Sequence, residues 1–102
     1  MPAPEQSAQQ SADNAHLCIV FMVAHARTRD VAEAKDAAEG AMQHLAQLAK
    51  EIPHSSPLSA EAGRLRAITY DARQKLARRQ TPENMEEGIA LILKIKERLE
   101  SK

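Results

Sequence analysis

LCIVFMVAHARTRDVAEAKDAAEGAMQHLAQLAKEI, residues 17–52, decides the fold. Its apolar positions Leu17, Val20, Ala24, Val31, Ala34, Ala38, Ala41, Leu45, Leu48 and Ile52 recur at alternating spacings of three and four, missing a beat only at Arg27. That period lays one apolar stripe along a helix face. The register survives the polar residues 27–30, so one reading is a single helix from Asp13 of about 38 residues, about 57 Å long at about 1.5 Å per residue. The other is a pair of helices broken near 28–30, because Asp30 followed by Glu33 has the form of a capping box. The run LCIVFMV also holds the strand formers Ile19, Val20, Phe21 and Val23. It does not alternate, and no other segment offers it a strand partner, so the helical reading is preferred.

Working toward the C-terminus, Pro53 stops the first long segment and residues 54–57 form the connection. Ser56 or Ser59 can cap the next helix, with Pro57 in its first turn. Its stripe is Leu58, Ala62, Leu65, Thr69, Ala72 and Leu76, flanked by Ile68. Thr81-Pro82-Glu83 reads as the N-cap and first turn of a last helix over 82–100. There Met85, Ile89, Leu91, Ile92, Leu93, Ile95 and Leu99 spread over about 200° of the helix, wider than one groove needs. Toward the N-terminus, MPAPEQSAQQSA carries no large side chain after Met1, so residues 1–12 are expected to be a disordered tail and 13–102 a single domain. Short connections force neighbouring helices to run antiparallel. The expected fold is therefore all-α: an antiparallel up-and-down bundle of three or four helices.

Composition agrees. The chain has 102 residues, 14 Lys+Arg against 14 Asp+Glu, and Phe21 and Tyr70 as its only aromatics. Its 19 alanines suit close helix contacts, whereas three Val and six Ile are too few to fill a sheet. A core so thinly supplied, with no net charge to repel a second copy, points to self-association. A lone Cys18 excludes an intramolecular disulfide. No apolar run is long enough to span a bilayer. The pair LCIVFMV and Ala24-His25-Ala26 imitates a signal peptide, but the preceding 16 residues hold no Lys or Arg, so a cytoplasmic location is expected.

The sharpest charge feature is a second helix carrying Arg64, Arg66, Arg73, Lys75, Arg78 and Arg79 against Asp71 alone. Arg64, Arg66, Arg73, Arg78 and Arg79 could meet nucleic-acid phosphates. The preceding segment, however, carries Asp30, Glu33, Asp36 and Glu39, and a hairpin about 53–57 would place Asp30 beside Arg79 and Asp36 beside Arg73. Acids at helix starts and bases at helix ends also complement the helix dipole. Internal pairing thus explains most of the asymmetry, and no aromatic platform or recognition motif accompanies it.

Cys18, Met22 and His25 share a helical stripe of soft ligands, but about 10 Å of axial rise separates its ends, too far for one ion. Glu51 and His54 have an E-x-x-H spacing that Pro53 interrupts. His16 and His44 lack a local nucleophile or orienting acid, and Gly40, Gly63 and Gly88 form no phosphate loop. No metal, cofactor or catalytic residue is expected.

The leading expectation is a non-catalytic, self-associating protein–protein interaction module, a homodimer, with regulation among its uses. Phe21, Met22, Ile89, Ile92, Ile95 and Leu99 are its expected interface. The competing expectation is a nucleic-acid-associated regulator using the basic second helix.

Overall fold

The computed structural model describes residues 4–53 and 55–100. They form four helices: α1 (Pro4–Arg27), α2 (Val31–Glu51), α3 (Pro57–Ala77) and α4 (Met85–Glu100). No strand occurs among the described residues, and the chain is an up-and-down bundle. Helix α1 packs on α2 and α4, and α3 packs on the same two helices from the other side.

The break near 28–30 is real, and its chemistry is complete. Asp30 Oδ1 accepts from the Glu33 N–H at 3.3 Å, as the capping box requires. On the other side, the Asp30 N–H donates to the His25 carbonyl at 2.8 Å and the Arg29 N–H to the Ala26 carbonyl at 3.2 Å. These two bonds close α1 in a Schellman motif with Arg29 at φ 63°, a conformation usually left to glycine. Helix α3 ends the same way: Gln80 N–H to Lys75 carbonyl, Arg79 N–H to Leu76 carbonyl, and Arg79 at φ 59°. Ser56 caps α3 through the Leu58 N–H, with Pro57 in the first turn.

Three sequence expectations need correction. The segment expected to be a disordered tail is, from Pro4 onward, the first turns of α1. Ala8 and Ala12 are 2% and 0% exposed, so this part of the helix is carried into the core by methyl groups together with the buried Ser11, whose hydroxyl donates to Glu51 Oε1 at 2.6 Å. The seam on α1 is also different. The buried face is Ala8, Ala12, Ala15, Ile19, Met22 and Val23, whereas Leu17, Val20 and Ala24 of the expected stripe face solvent. Residues 17–24 are apolar around the whole helix, and the upstream alanines select which side turns inward. Last, α4 begins at Met85 and not at Pro82, with Asn84 at φ 63° just before it. Glu83 lies before that helix and pairs with Lys75 at 3.1 Å.

Ala8, Ala12 and Ala15 of α1 and Ala34, Ala38 and Ala41 of α2 are all buried, beside the larger Ile19, Met22, Leu45 and Leu48 on the same two helices. Small side chains let these two helices approach closely. Gly40 marks a close approach, because a Cβ there would sit 3.1 Å from Cys18 Sγ. Larger residues fill the rest of the core: Leu45, Leu48, Leu65, Ile92 and Ile95 are fully buried.

Candidate interaction surface

Five large apolar side chains are exposed among the described residues: Leu17, Val20, Phe21, Tyr70 and Leu93. Three belong to α1. With about 100° per residue, Leu17, Val20, Phe21 and Ala24 span about 100° of arc opposite the buried face. They form a continuous strip at i, i+3, i+4 and i+7. Leu93 of α4 lies beside it, because α1 and α4 run antiparallel in a register fixed by three contacts. Gln9 Nε2 donates to the Leu99 carbonyl at 2.9 Å, Lys96 Nζ lies 3.2 Å from Asp13 Oδ1, and Lys96 Nζ lies 3.0 Å from His16 Nδ1. That register brings Leu93 level with the strip.

Of the residues expected at an interface, only Phe21 is fully at the surface, at 55% exposure. Ile89 is half-buried at the edge of the core. Met22, Ile92, Ile95 and Leu99 are 1%, 0%, 0% and 5% exposed, so this chain's own core occupies them. Much of the apolar width on α4 is absorbed because α4 packs against both α1 and α3, with Leu93 left exposed. Leu17 and Val20 are the surface residues that sequence reasoning missed. The signal was a helix segment apolar on every side, which leaves one side unburied in any bundle.

The five arginines expected at a nucleic-acid surface do not share a face. Arg64 makes a two-point contact with Glu87 of α4, Nε to Oε2 at 2.8 Å and the second nitrogen to Oε1 at 3.0 Å. This pairing holds the Glu87 carboxyl below its usual range, first through the hydrogen bond from Arg64. Arg73 turns the opposite way, to Glu39 Oε1 of α2 at 3.0 Å. Its partner was expected to be Asp36. Glu39 lies about one helical turn beyond Asp36 on α2, so the long arginine side chain reaches the next carboxylate along. Asp30 Oδ2 lies 3.9 Å from His25 Nδ1, and Arg79 lines a cleft with Arg29 and Val31, the residues on either side of Asp30. Arg66, Arg78 and Arg79 are exposed.

Groups with titratable chemistry are dispersed. No cluster of three His, Cys, Asp or Glu residues that could hold a metal occurs among the described residues. His54, half of the E-x-x-H pair, lies outside them. Burial pushes the Cys18 thiol up, away from the reactive thiolate. His16 is held below its ordinary value, first by burial and then by the Lys96 ammonium, with Asp13 opposing. Lys94 and Arg98 both approach Glu61 Oε1, at 3.1 and 3.6 Å, while Glu61 Oε2 is buried without a hydrogen-bond partner. An open cleft between the end of α1 and the start of α4 has an apolar floor of Val23, Ala26, Pro82 and Met85, with Arg27 and Glu86 at its rim. None of these sets places a nucleophile against a base. No helix among the described residues is long and apolar enough to cross a membrane.

No family model, no curated protein and no solved structure matches this chain.

Proposed function

We propose that this chain is a non-catalytic helical-bundle interaction module that meets other protein surfaces, a second copy included, through the outer face of α1. The observation that carries the reading is the exposure of Leu17, Val20 and Phe21, at 55%, 41% and 55%, on one helix face. In a chain with one Phe and three Val, leaving these groups in water forgoes burial worth about 1.5–3 kcal/mol per large side chain. Three large apolar groups gathered on one exposed helix face suit a surface that becomes covered on binding. The half-buried Ile89 and the exposed Leu93 extend the apolar area onto α4.

The test is site-specific photo-crosslinking in the native host, with a benzophenone amino acid at Phe21 and, as a control on another helix, at Tyr70. Position 21 is expected to yield discrete protein adducts well above those at position 70. Equal or absent adducts at the two positions would sink the reading.

A further inference from the structure

We infer that the occupant of the α1 face is a second copy of this chain, laid antiparallel along the first about a two-fold axis passing between Val20 and Phe21. This inference rests on the reading of that face as a protein-contact surface, and it adds the partner and the geometry.

The strip is self-complementary when reversed. Leu17 and Ala24 lie equally far on either side of the midpoint between Val20 and Phe21, so a two-fold operation seats each Leu17 against the second copy's Ala24. Large meets small, while Val20 and Phe21 each meet their own copies near the axis. A two-fold contact must be complementary to itself in this sense.

The charges at the ends of the strip follow the same symmetry. Asp13 stands at one end and Arg27 at the other, and both sit on the edge that faces α4. Asp13 Oδ1 takes Lys96 Nζ at 3.2 Å, and Arg27 lines the cleft with Pro82 and Met85. A two-fold axis perpendicular to the helices keeps that edge on one side in both copies. Each Arg27 therefore arrives beside the other copy's Asp13, with an axial mismatch of about 1.5 Å, well within the reach of an arginine side chain. Asp13 Oδ2 and the Arg27 guanidinium have no ion-pair partner among the described residues, so both are available. A parallel arrangement would set Asp13 against Asp13 and Arg27 against Arg27. On the opposite edge of the strip the end residues are Asn14 and Thr28, so no like charges meet there.

The footprint is one helix face, smaller than the about 800 Å² per partner of a standard stable interface. The dimer is therefore a weak one, populated at high micromolar concentration.

Sedimentation equilibrium between about 10 µM and about 1 mM, a span that brackets such affinities, provides the test. Wild type is expected to show a monomer–dimer equilibrium. Asp13→Arg and Arg27→Asp are each expected to weaken it about tenfold, because two exposed attractions become repulsions. The double variant Asp13→Arg/Arg27→Asp is expected to restore it, since every cross-pair is then attractive again. Asp13→Arg also disturbs the Lys96 contact, so a charge-independent measurement accompanies it. In a Cys18→Ser background, Val20→Cys is expected to form a disulfide-linked dimer on mild oxidation. Gln10→Cys is not, because its two copies would lie about 30 Å apart. A strict monomer throughout, no recovery in the double variant, or equal cross-linking at positions 10 and 20 would each overturn the antiparallel self-pairing. A dimer that Phe21→Glu leaves intact would also overturn the self-pairing, whereas the broader reading is lost if position 21 yields no more protein adducts than position 70. It survives without the self-pairing if the chain is monomeric while a cross-linker at position 21 captures a different protein.

Discussion

Gly40 and Gly63 are chemically identical residues in helix interiors, and their surroundings give them opposite roles. A Cβ on Gly63 would meet nothing within 4 Å, whereas one on Gly40 would meet Cys18 Sγ at 3.1 Å. Gly63→Ala is therefore expected to stabilise the chain by about 1 kcal/mol through helix propensity alone. Gly40→Ala is expected to gain that much only where Cys18 is first cut to Ala, so urea denaturation of the two single variants and the double should show strong non-additivity. His16 supplies the pH dependence at this scale. Its folded-state value is lowered from about 6.5, so below that pH the unfolded chain binds a proton that the folded chain resists. Its contribution is fully present above about pH 6.5 and is lost as pH falls toward the lower folded value. Melting temperature should drop more between pH 7.5 and pH 5.5 in wild type than in His16→Gln, and equal drops would count against the assignment. The glycine set among Ala37, Ala38 and Ala41 reads from sequence as a close helix contact, but neither partner was legible, because Lys96 is 80 positions from His16 and Cys18 is 22 from Gly40.

The starts of α2 and α3 and the buried faces of both helices were legible in the sequence, whereas the starts of α1 and α4 and the face of α1 were not. Asp30 with Glu33, and Ser56 with Pro57, announced their caps because capping chemistry is local and needs only neighbouring residues. The face of α1 was misread because residues 17–24 offer apolar groups in every direction, and the deciding side chains, Ala8, Ala12 and Ala15, are too small to register as a hydrophobic signal. The same smallness hid the first turns of the helix inside an apparent tail. Both α1 and α3 end on an arginine with a left-handed backbone, Arg29 at φ 63° and Arg79 at φ 59°. A side chain costs about 1 kcal/mol there and glycine nothing, an advantage partly offset by the greater freedom glycine gives the unfolded chain. Arg29→Gly and Arg79→Gly should each raise stability by about 0.5–1 kcal/mol in chemical denaturation, without altering helix content. A loss of stability in either variant would mean that the guanidinium contributes more than the backbone strain removes.

At the scale of the whole molecule, the unequal division of large side chains separates folding from association. Ile92 and Phe21 were expected at one interface, yet Ile92 is 0% exposed inside the bundle and Phe21 is 55% exposed outside it. Truncating them should therefore disturb different equilibria. Ile92→Ala leaves a cavity in a small core and should cost about 2–5 kcal/mol, a large part of the about 5–10 kcal/mol expected for a domain of this size. Phe21→Glu removes no core contact, so in dilute solution its denaturation midpoint should match wild type within about 0.5 kcal/mol. Concentration then distinguishes them further. Self-association that favours the folded chain stabilises it by mass action, so the wild-type melting temperature should climb as protein is raised from about 10 µM to about 1 mM. In Ile92→Ala the whole curve should be shifted down but still climb, because the outer face of α1 is intact. In Phe21→Glu it should stay flat. A wild-type midpoint independent of concentration would return the exposed strip to ordinary surface, and a climbing Phe21→Glu midpoint would move the contact to another face of the bundle.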